Sequence, residues 1–313
     1  MALNPTNVRV IDPILSTHAR GYKHTARVGH LLFPTVPVFV AGGQVLQFGK
    51  ESFKRYAARR APGSATKRIE FGYLGVPYAL VQDSLDAPVP REFMRDASRV
   101  PGLDLGRMAV DTTMNSITLS LEIEQATIAT TAGNYDSDHK VALSSGTKWS
   151  ADTGTPLTDI DEGSEAIRAS TGMRANTLIL APNAWTAAKN NPQCRSRVYA
   201  DAPDTDRGPI TLEQFKKAVD IPNVAIAEAI TAGDDDVFVD AWGNNAVLAY
   251  VPSAAEAAMP VPSYGYTYTM EGHPMVEQPY WDNGSKSWIY GVTMERAPVL
   301  TSMAAGYLIQ TPN

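Results

Sequence analysis

The stretch TGMRANTLILAPNAWTAAKNNPQ, Thr171 to Gln193, decides the fold class. A helix ends before Gly172, since glycine tolerates the left-handed backbone of a helix terminus. A short apolar strand follows over Thr177–Leu180, and Pro182-Asn183 then opens a second helix, because proline's fixed φ and missing N–H suit the first helical turn. That helix must close before Pro192. Helix, short buried strand and helix in so short a span mark a compact αβ unit.

Working outward, a helix is expected from about Thr158 to Ser170, and another from Thr211, with Gln214 as its capping-box partner. Strands are expected near Val224–Glu228, Val237–Asp240 and Ala246–Val251. Residues 134–155 are rich in Gly, Ser and Thr and read as a loop or short hairpin. Leu103–Thr131 lacks proline and carries a wide apolar arc with Leu105, Met108, Leu119, Ile123 and Ala126. That pattern predicts one helix more than twice the common length, ending at Gly133-Asn134. Near the C-terminus, Tyr264, Tyr266, Tyr268 and Met270 alternate as in a half-buried strand. Asn283-Gly284 signals a hairpin, and strands near Trp288–Arg296 and Val299–Ile309 close the chain.

The N-terminal part reads differently. Residues 1–40 hold Pro5, Pro13, Pro34 and Pro37 among scattered cations without a sustained period, and are expected to form an extended arm ordered only by lying on the rest of its own chain or on a neighbour. Short β-type stretches at Gln44–Phe48 and Ile69–Phe71 flank KESFKRYAARRAPGSATKR, a hairpin-like excursion with Pro62-Gly63-Ser64 at its tip. It carries Lys50, Lys54, Arg55, Arg59, Arg60, Lys67 and Arg68 against Glu51 alone. Such an island is a solvated face or a surface that docks on acidic copies of the same chain.

Composition sets the limits. The 313 residues are 44% hydrophobic and 19% charged. The charged share is below that of an average globular chain, and the balance excludes wholesale disorder. The net charge of −6 argues against a protein whose main task is gripping nucleic acid. Cys194 is alone, so no intramolecular disulfide or cysteine-rich metal cluster forms, and no signal peptide or membrane-length apolar run is present.

Chemistry-bearing motifs are weak. Gly43 and Gly49-Lys50-Glu51 imitate a phosphate loop with five residues between the glycines instead of four, and with a glutamate in place of the Mg²⁺-binding hydroxyl. His18, His24, His30, His139 and His273 lack metal-ligand spacing. No nucleophile elbow occurs. Asp234-Asp235-Asp236 reads as a solvated turn, and Asn283-Gly284-Ser285, although it matches a glycosylation sequon, reads as the hairpin turn. A catalytic reading would rest on Asp159, Asp161 and Glu162, as in a soluble αβ hydrolase or transferase.

The order of parts, with Thr171–Gln193 as its most telling stretch, resembles the major capsid proteins of tailed bacteriophages, the Hong Kong 97-type fold. The resemblance spans essentially the whole chain. It implies an α+β subunit with an N-terminal arm (1–40), an extended loop (41–85), a peripheral domain with a long spine helix (86–172 and 261–313) and an axial domain (173–260). It also implies a non-enzymatic shell subunit, without cofactor or metal, forming the pentamers and hexamers of an icosahedral shell around double-stranded DNA. The loop cations Lys50, Lys54, Arg55, Arg59, Arg60, Lys67 and Arg68 would then be inter-subunit contacts. A separate scaffolding protein, a portal and a cement protein are the implied partners, with assembly in the host cytoplasm. An encapsulin-like compartment shell, loading an enzyme cargo, is the alternative with the same architecture. Some family members join a loop lysine covalently to a neighbour's asparagine, and nothing around Lys50, Lys54 or Lys67 identifies the partners for that chemistry.

Overall fold

The computed structural model describes residues 11–46, 59, 75–97, 104–200, 208–233, 236–253 and 263–313. In chain order the first elements are α1 (Pro13–Gly21), β1 (Thr35–Val38), β2 (Gly42–Leu46), β3 (Gly75–Ala79), β4 (Val81–Pro90), α2 (Arg91–Ala97), α3 (Leu105–Thr130) and β5 (Lys140–Ala142). Then come α4 (Pro156–Thr171), β6 (Thr177–Leu180), α5 (Pro182–Asn190), α6 (Pro192–Val198), α7 (Leu212–Val219), β7 (Asn223–Ile226), β8 (Ile230–Ala232), β9 (Phe238–Asp240) and β10 (Asn245–Ala249). The chain closes with β11 (Gly265–Met270), β12 (Met275–Val276), β13 (Tyr280–Asp282), β14 (Ser287–Leu300) and β15 (Gly306–Gln310).

Two sheets organise these elements. In the first, β14 carries β4 along one edge over ten paired residues, and β11, β12 and β13 along the other; β1 adds to β11 in parallel. The second runs β5-β15-β10-β6-β7, with α4 packed on β15 and β10. Its centre is the stretch that decided the fold class: all four residues of β6 are buried, as expected for a strand covered on both faces.

Helix α3 joins the two sheets. Asp104 caps it by accepting from the Arg107 amide at 3.2 Å, which satisfies a donor that the first turn leaves open. The helix is 26 residues long. At the usual rise per residue it spans about 39 Å. Thr113, Thr118, Thr127 and Thr130 return their hydroxyls to the carbonyl four residues back, so a threonine-rich helix leaves few polar groups unpaired. Val110, Met114 and Ile117 pack with Tyr290, Val292 and Met294 of β14 and with Leu15 and Ala19 of α1. One turn further on the buried face changes character. Ala126 and Ala129 join the core of the second sheet, while Glu122 and Gln125 bring polar groups inside it.

Glu122 is 2% exposed. Its carboxylate accepts from the Val28 amide at 3.1 Å, from the Gly29 amide at 2.9 Å and from Trp242 Nε1 at 2.8 Å. A side chain at position 29 would collide with Gln125, since a Cβ there would lie 2.1 Å from its Oε1, so glycine is what lets the chain approach this closely. Gln125 in turn donates to Thr267 of β11 at 2.9 Å.

The arm lies on its own chain, one of the two supports expected for it, but it is not extended throughout. Residues 11–40 are folded onto their own subunit: Asp12 caps α1 with Pro13 in its first turn, Ser16 bonds both backbone groups of Val276, Leu32 and Phe33 are fully buried, and β1 pairs with β11. Asp-Pro, met in the sequence as an irregular proline, is a helix start, and so short a helix shows no periodicity. The tyrosine strand has the expected alternation with the opposite phase: Thr267 and Thr269 are buried, while Tyr266 and Tyr268 are half-buried. β5 and β15, from stretches grouped by sequence with the first unit, are hydrogen-bonded into the second sheet. The tip and most of the basic excursion lie outside the described residues.

Replacing Glu122 by Ala leaves three buried donors without partners, so the subunit should lose roughly 3–5 kcal/mol of stability, read as a lowered denaturant midpoint. Glu122→Gln should lose less, because one carbonyl remains to accept.

Candidate assembly surface

The basic excursion is held at its base by a short ribbon. β2 and β3 pair antiparallel from Gly42↔Ala79 to Leu46↔Gly75, and the Leu80 amide donates to Ala41 at 2.8 Å before the chain enters β4. Tyr78 stacks on Tyr268 of β11 with ring centroids 4.6 Å apart. The stack fastens the ribbon to the first sheet. A Cβ at Gly43 would lie 2.8 Å from the Tyr78 ring, so this glycine makes room for the stack. Burial pushes the Tyr268 hydroxyl up to about 12, so this ring enters the stack as a neutral phenol.

Around this base the surface is apolar. Phe39 is 82% exposed, Val40 62% and Val81 64%. The three are neighbours in a collar that a chain living alone would be expected to cover. Along β4, a groove of about 500 Å³ runs between this strand, α2 and α3, with Leu85, Phe93 and Met108 open to solvent on its walls. Among the described residues no strand pairs with the outer edge of β4, which carries Pro88 and Pro90, residues that give a further strand no donors. A third patch lies on the β8–β9 hairpin, where Ile230, Val237, Phe238 and Val239 are each at least half exposed.

The ribbon that carries the groove is pinned from inside. Arg296 of β14 is 2% exposed and donates through Nη1 to Glu124 of α3 at 2.8 Å and through Nη2 to Asp83 of β4. One guanidinium thus ties helix and both strands.

Of the expected contact residues, Arg59 is exposed, and Lys50, Lys54, Arg55, Arg60, Lys67 and Arg68 lie outside the described residues. The apolar collar and the groove were missed by sequence reasoning. A signal for the first existed in the run Val36–Ala41, four of whose six residues are exposed.

The residues singled out for catalysis do not converge. Asp159 accepts from Trp149 Nε1 at 2.7 Å and from the Thr155 hydroxyl at 3.3 Å, while Asp161 and Glu162 are exposed on α4. Cys194 is buried, and burial pushes its thiol up to about 12, far from a reactive thiolate. His139 is buried between the Gly306 carbonyl and the Ser170 hydroxyl, and His18 pairs with Asp111 at 2.8 Å. Among the described residues no His/Cys/Asp/Glu group is placed to hold a metal, and no helix is long and apolar enough to cross a membrane. Asp234 and Asp235 lie outside the described residues.

No family model matches the chain. It is 33% identical over 311 residues to the major capsid protein of Burkholderia phage BcepMu, covering 98% of both chains. The chain belongs to the phage major capsid protein family. A crystal structure of a phage-related protein from Bordetella bronchiseptica RB50 is similar at 43% identity with a TM-score of 0.82, covering 98% of this chain and 99% of that one. The capsid of cyanophage P-SCSP1u shares the fold at 8% identity, with a TM-score of 0.59 over 92% of this chain and 89% of that one. So does the SrpI encapsulin of Synechococcus elongatus, at 12% identity and a TM-score of 0.51 over 96% of this chain and 95% of that one. The fold is therefore the α+β Hong Kong 97-like capsid fold, and α3 is its spine helix.

Burial, opposed by the hydrogen bonds from Trp149 and Thr155, raises the pKa of Asp159 above 3.8. As pH rises through the window from 3.8 to that raised value, the native state still holds a proton that the unfolded chain has released, so stability falls. Asp159→Asn keeps an acceptor for Trp149 and has nothing to titrate. Denaturant midpoints against pH should show that decline in the parent chain, diminished in the variant, with the variant at least as stable at neutral pH.

Proposed function

We propose that this chain is the structural subunit of a tailed-phage head, assembling as pentamers and hexamers into an icosahedral shell that encloses double-stranded DNA. The observation that carries this reading is the 33% identity, along 98% of the chain, to a protein named for that role. The physical surface supports it. Three exposed apolar patches, at the collar, the groove and the β8–β9 hairpin, are more than a solitary subunit needs, and each is of the kind that a neighbouring copy covers. The net charge of −6 suits a container, because a wall that neutralised many phosphates would hold the genome fast instead of letting it slide in.

In this reading the sheet built on β14 is the body of the peripheral domain and the sheet built on β6 and β10 the body of the axial domain. The 47–74 segment, with its seven cations, reaches a neighbour, and the subunit has no catalytic role. A separate scaffold, a portal and a cement protein complete the head in the virion, after assembly in the host cytoplasm. The fold is shared with an encapsulin, so an enzyme-loaded compartment is the second reading, and DNA inside native particles separates the two.

Negative-stain electron microscopy with sedimentation velocity, on the chain expressed alone and with its genomic neighbours, should show closed shells or tubes. A stable small oligomer in both preparations would contradict the proposal. Reversing the charge of Arg59 and Arg60 together should lower particle yield and leave the circular dichroism of the free subunit unchanged. Full yield at moderate salt would remove the loop from the assembly contacts.

A further inference from the structure

The turn between β13 and β14 holds the chain's single Asn-Gly pair, and its surroundings do more than shape a hairpin. Asn283 and Gly284 are both exposed. Trp281 Nε1 donates to the Asn283 side-chain oxygen at 2.9 Å. Because an indole N–H only donates, the amide must present its oxygen there and leave its nitrogen free of that contact. The Trp281 ring is held edge-on against Trp288, with centroids 5.7 Å apart. On the other side, the Gly284 amide donates to the Asp282 carboxylate at 2.9 Å. Hydrogen bonds from the Ser285 hydroxyl and the amides of Gly284 and Ser285 hold that carboxyl below its ordinary range, so it is ionised and accepting at neutral pH.

These contacts fall on the two atoms of one reaction. We propose that Asn283 is a modification site at which the backbone nitrogen of Gly284 closes on the Asn283 side chain to form a succinimide, which water opens to aspartate or isoaspartate. The Gly284 nitrogen loses its proton to solvent base and bonds to Cγ. The bond from Cγ to Nδ2 breaks, and the side-chain nitrogen takes up a proton and leaves as ammonia. Water then adds across either carbonyl of the ring. The net change is one water consumed and one ammonia released, with no oxidation or reduction. The Trp281 N–H sits on the oxygen that gains negative charge as the ring closes, as an oxyanion donor does, and Asp282 polarises the N–H of the attacking nitrogen. Glycine at 284 adds no side chain to hinder the approach. The product carries a new carboxylate beside Asp282, and the isoaspartate form adds a methylene to the backbone of a turn closed by the Asp282↔Ser287 pair. The exposed tip of the hairpin thus acquires charge with age, whether or not the chain forms a shell.

The test is a time course of the purified full chain at physiological temperature and mildly alkaline pH. Peptide mass spectrometry follows amide-to-acid conversion, and hydroxylamine is added to trap the ring by cleaving between residues 283 and 284. Conversion at Asn283 should outpace that of the other asparagines and be faster in the folded chain than in the same chain held unfolded in denaturant. Trp281→Phe retains an aromatic ring beside Trp288 and removes the donor, so it should slow conversion by about tenfold, less than a fully dry oxyanion donor contributes. Asn283→Gln, with a longer side chain that closes the ring poorly, should abolish the hydroxylamine fragment and serves if Trp281→Phe does not fold. Faster conversion in the unfolded chain, or an unchanged rate in a folded Trp281→Phe chain, would overturn the proposal.

Discussion

The carboxylate of Glu122 is the point on which three remote parts of the chain meet: the turn at Val28-Gly29, the spine helix, and Trp242 beside the second sheet. A buried carboxylate is tolerated only when donors replace the water it has lost, and here the donors come from two segments remote from the helix, Val28-Gly29 and Trp242. The same helix turns an apolar face to β14 a few residues earlier. One continuous helix of 26 residues therefore fixes the distance and angle between two sheets that share no strand.

That rigidity gives the surface its meaning. The β2–β3 ribbon projects from a base stacked on Tyr268, and the β4–β14 ribbon is clamped to α3 by Arg296. Exposed apolar side chains on such rigid supports lose little entropy when a neighbour covers them, which is what a subunit that must associate many times over requires.

Much of the fold was legible because its signals are local. Gly172, Pro182, Pro192 and the Thr211–Gln214 capping box act within one turn of where they stand, and the structure places helix ends at each of them. Strand alternation in 264–270 was readable, but its phase was not, because Thr267 is drawn inward by Gln125 and the Phe33 carbonyl, partners 142 and 234 residues away. The contacts by which residues 11–40 dock were hidden for the same reason: Glu122 looks like one surface charge among many until the fold brings Val28 and Trp242 to it. The candidate site was less legible still. A charge run announces itself in sequence, whereas an apolar groove between β4, α2 and α3 exists only once those elements pack.

The most direct check on this account is hydrogen exchange in the free subunit, comparing the amides of Val28, Gly29, Leu31, Leu32 and Phe33 with those in the middle of α3. If the N-terminal segment is part of one body held at Glu122, both sets should exchange together, through global unfolding alone. Exchange of residues 28–33 orders of magnitude ahead of α3 would show a separable arm and contradict it.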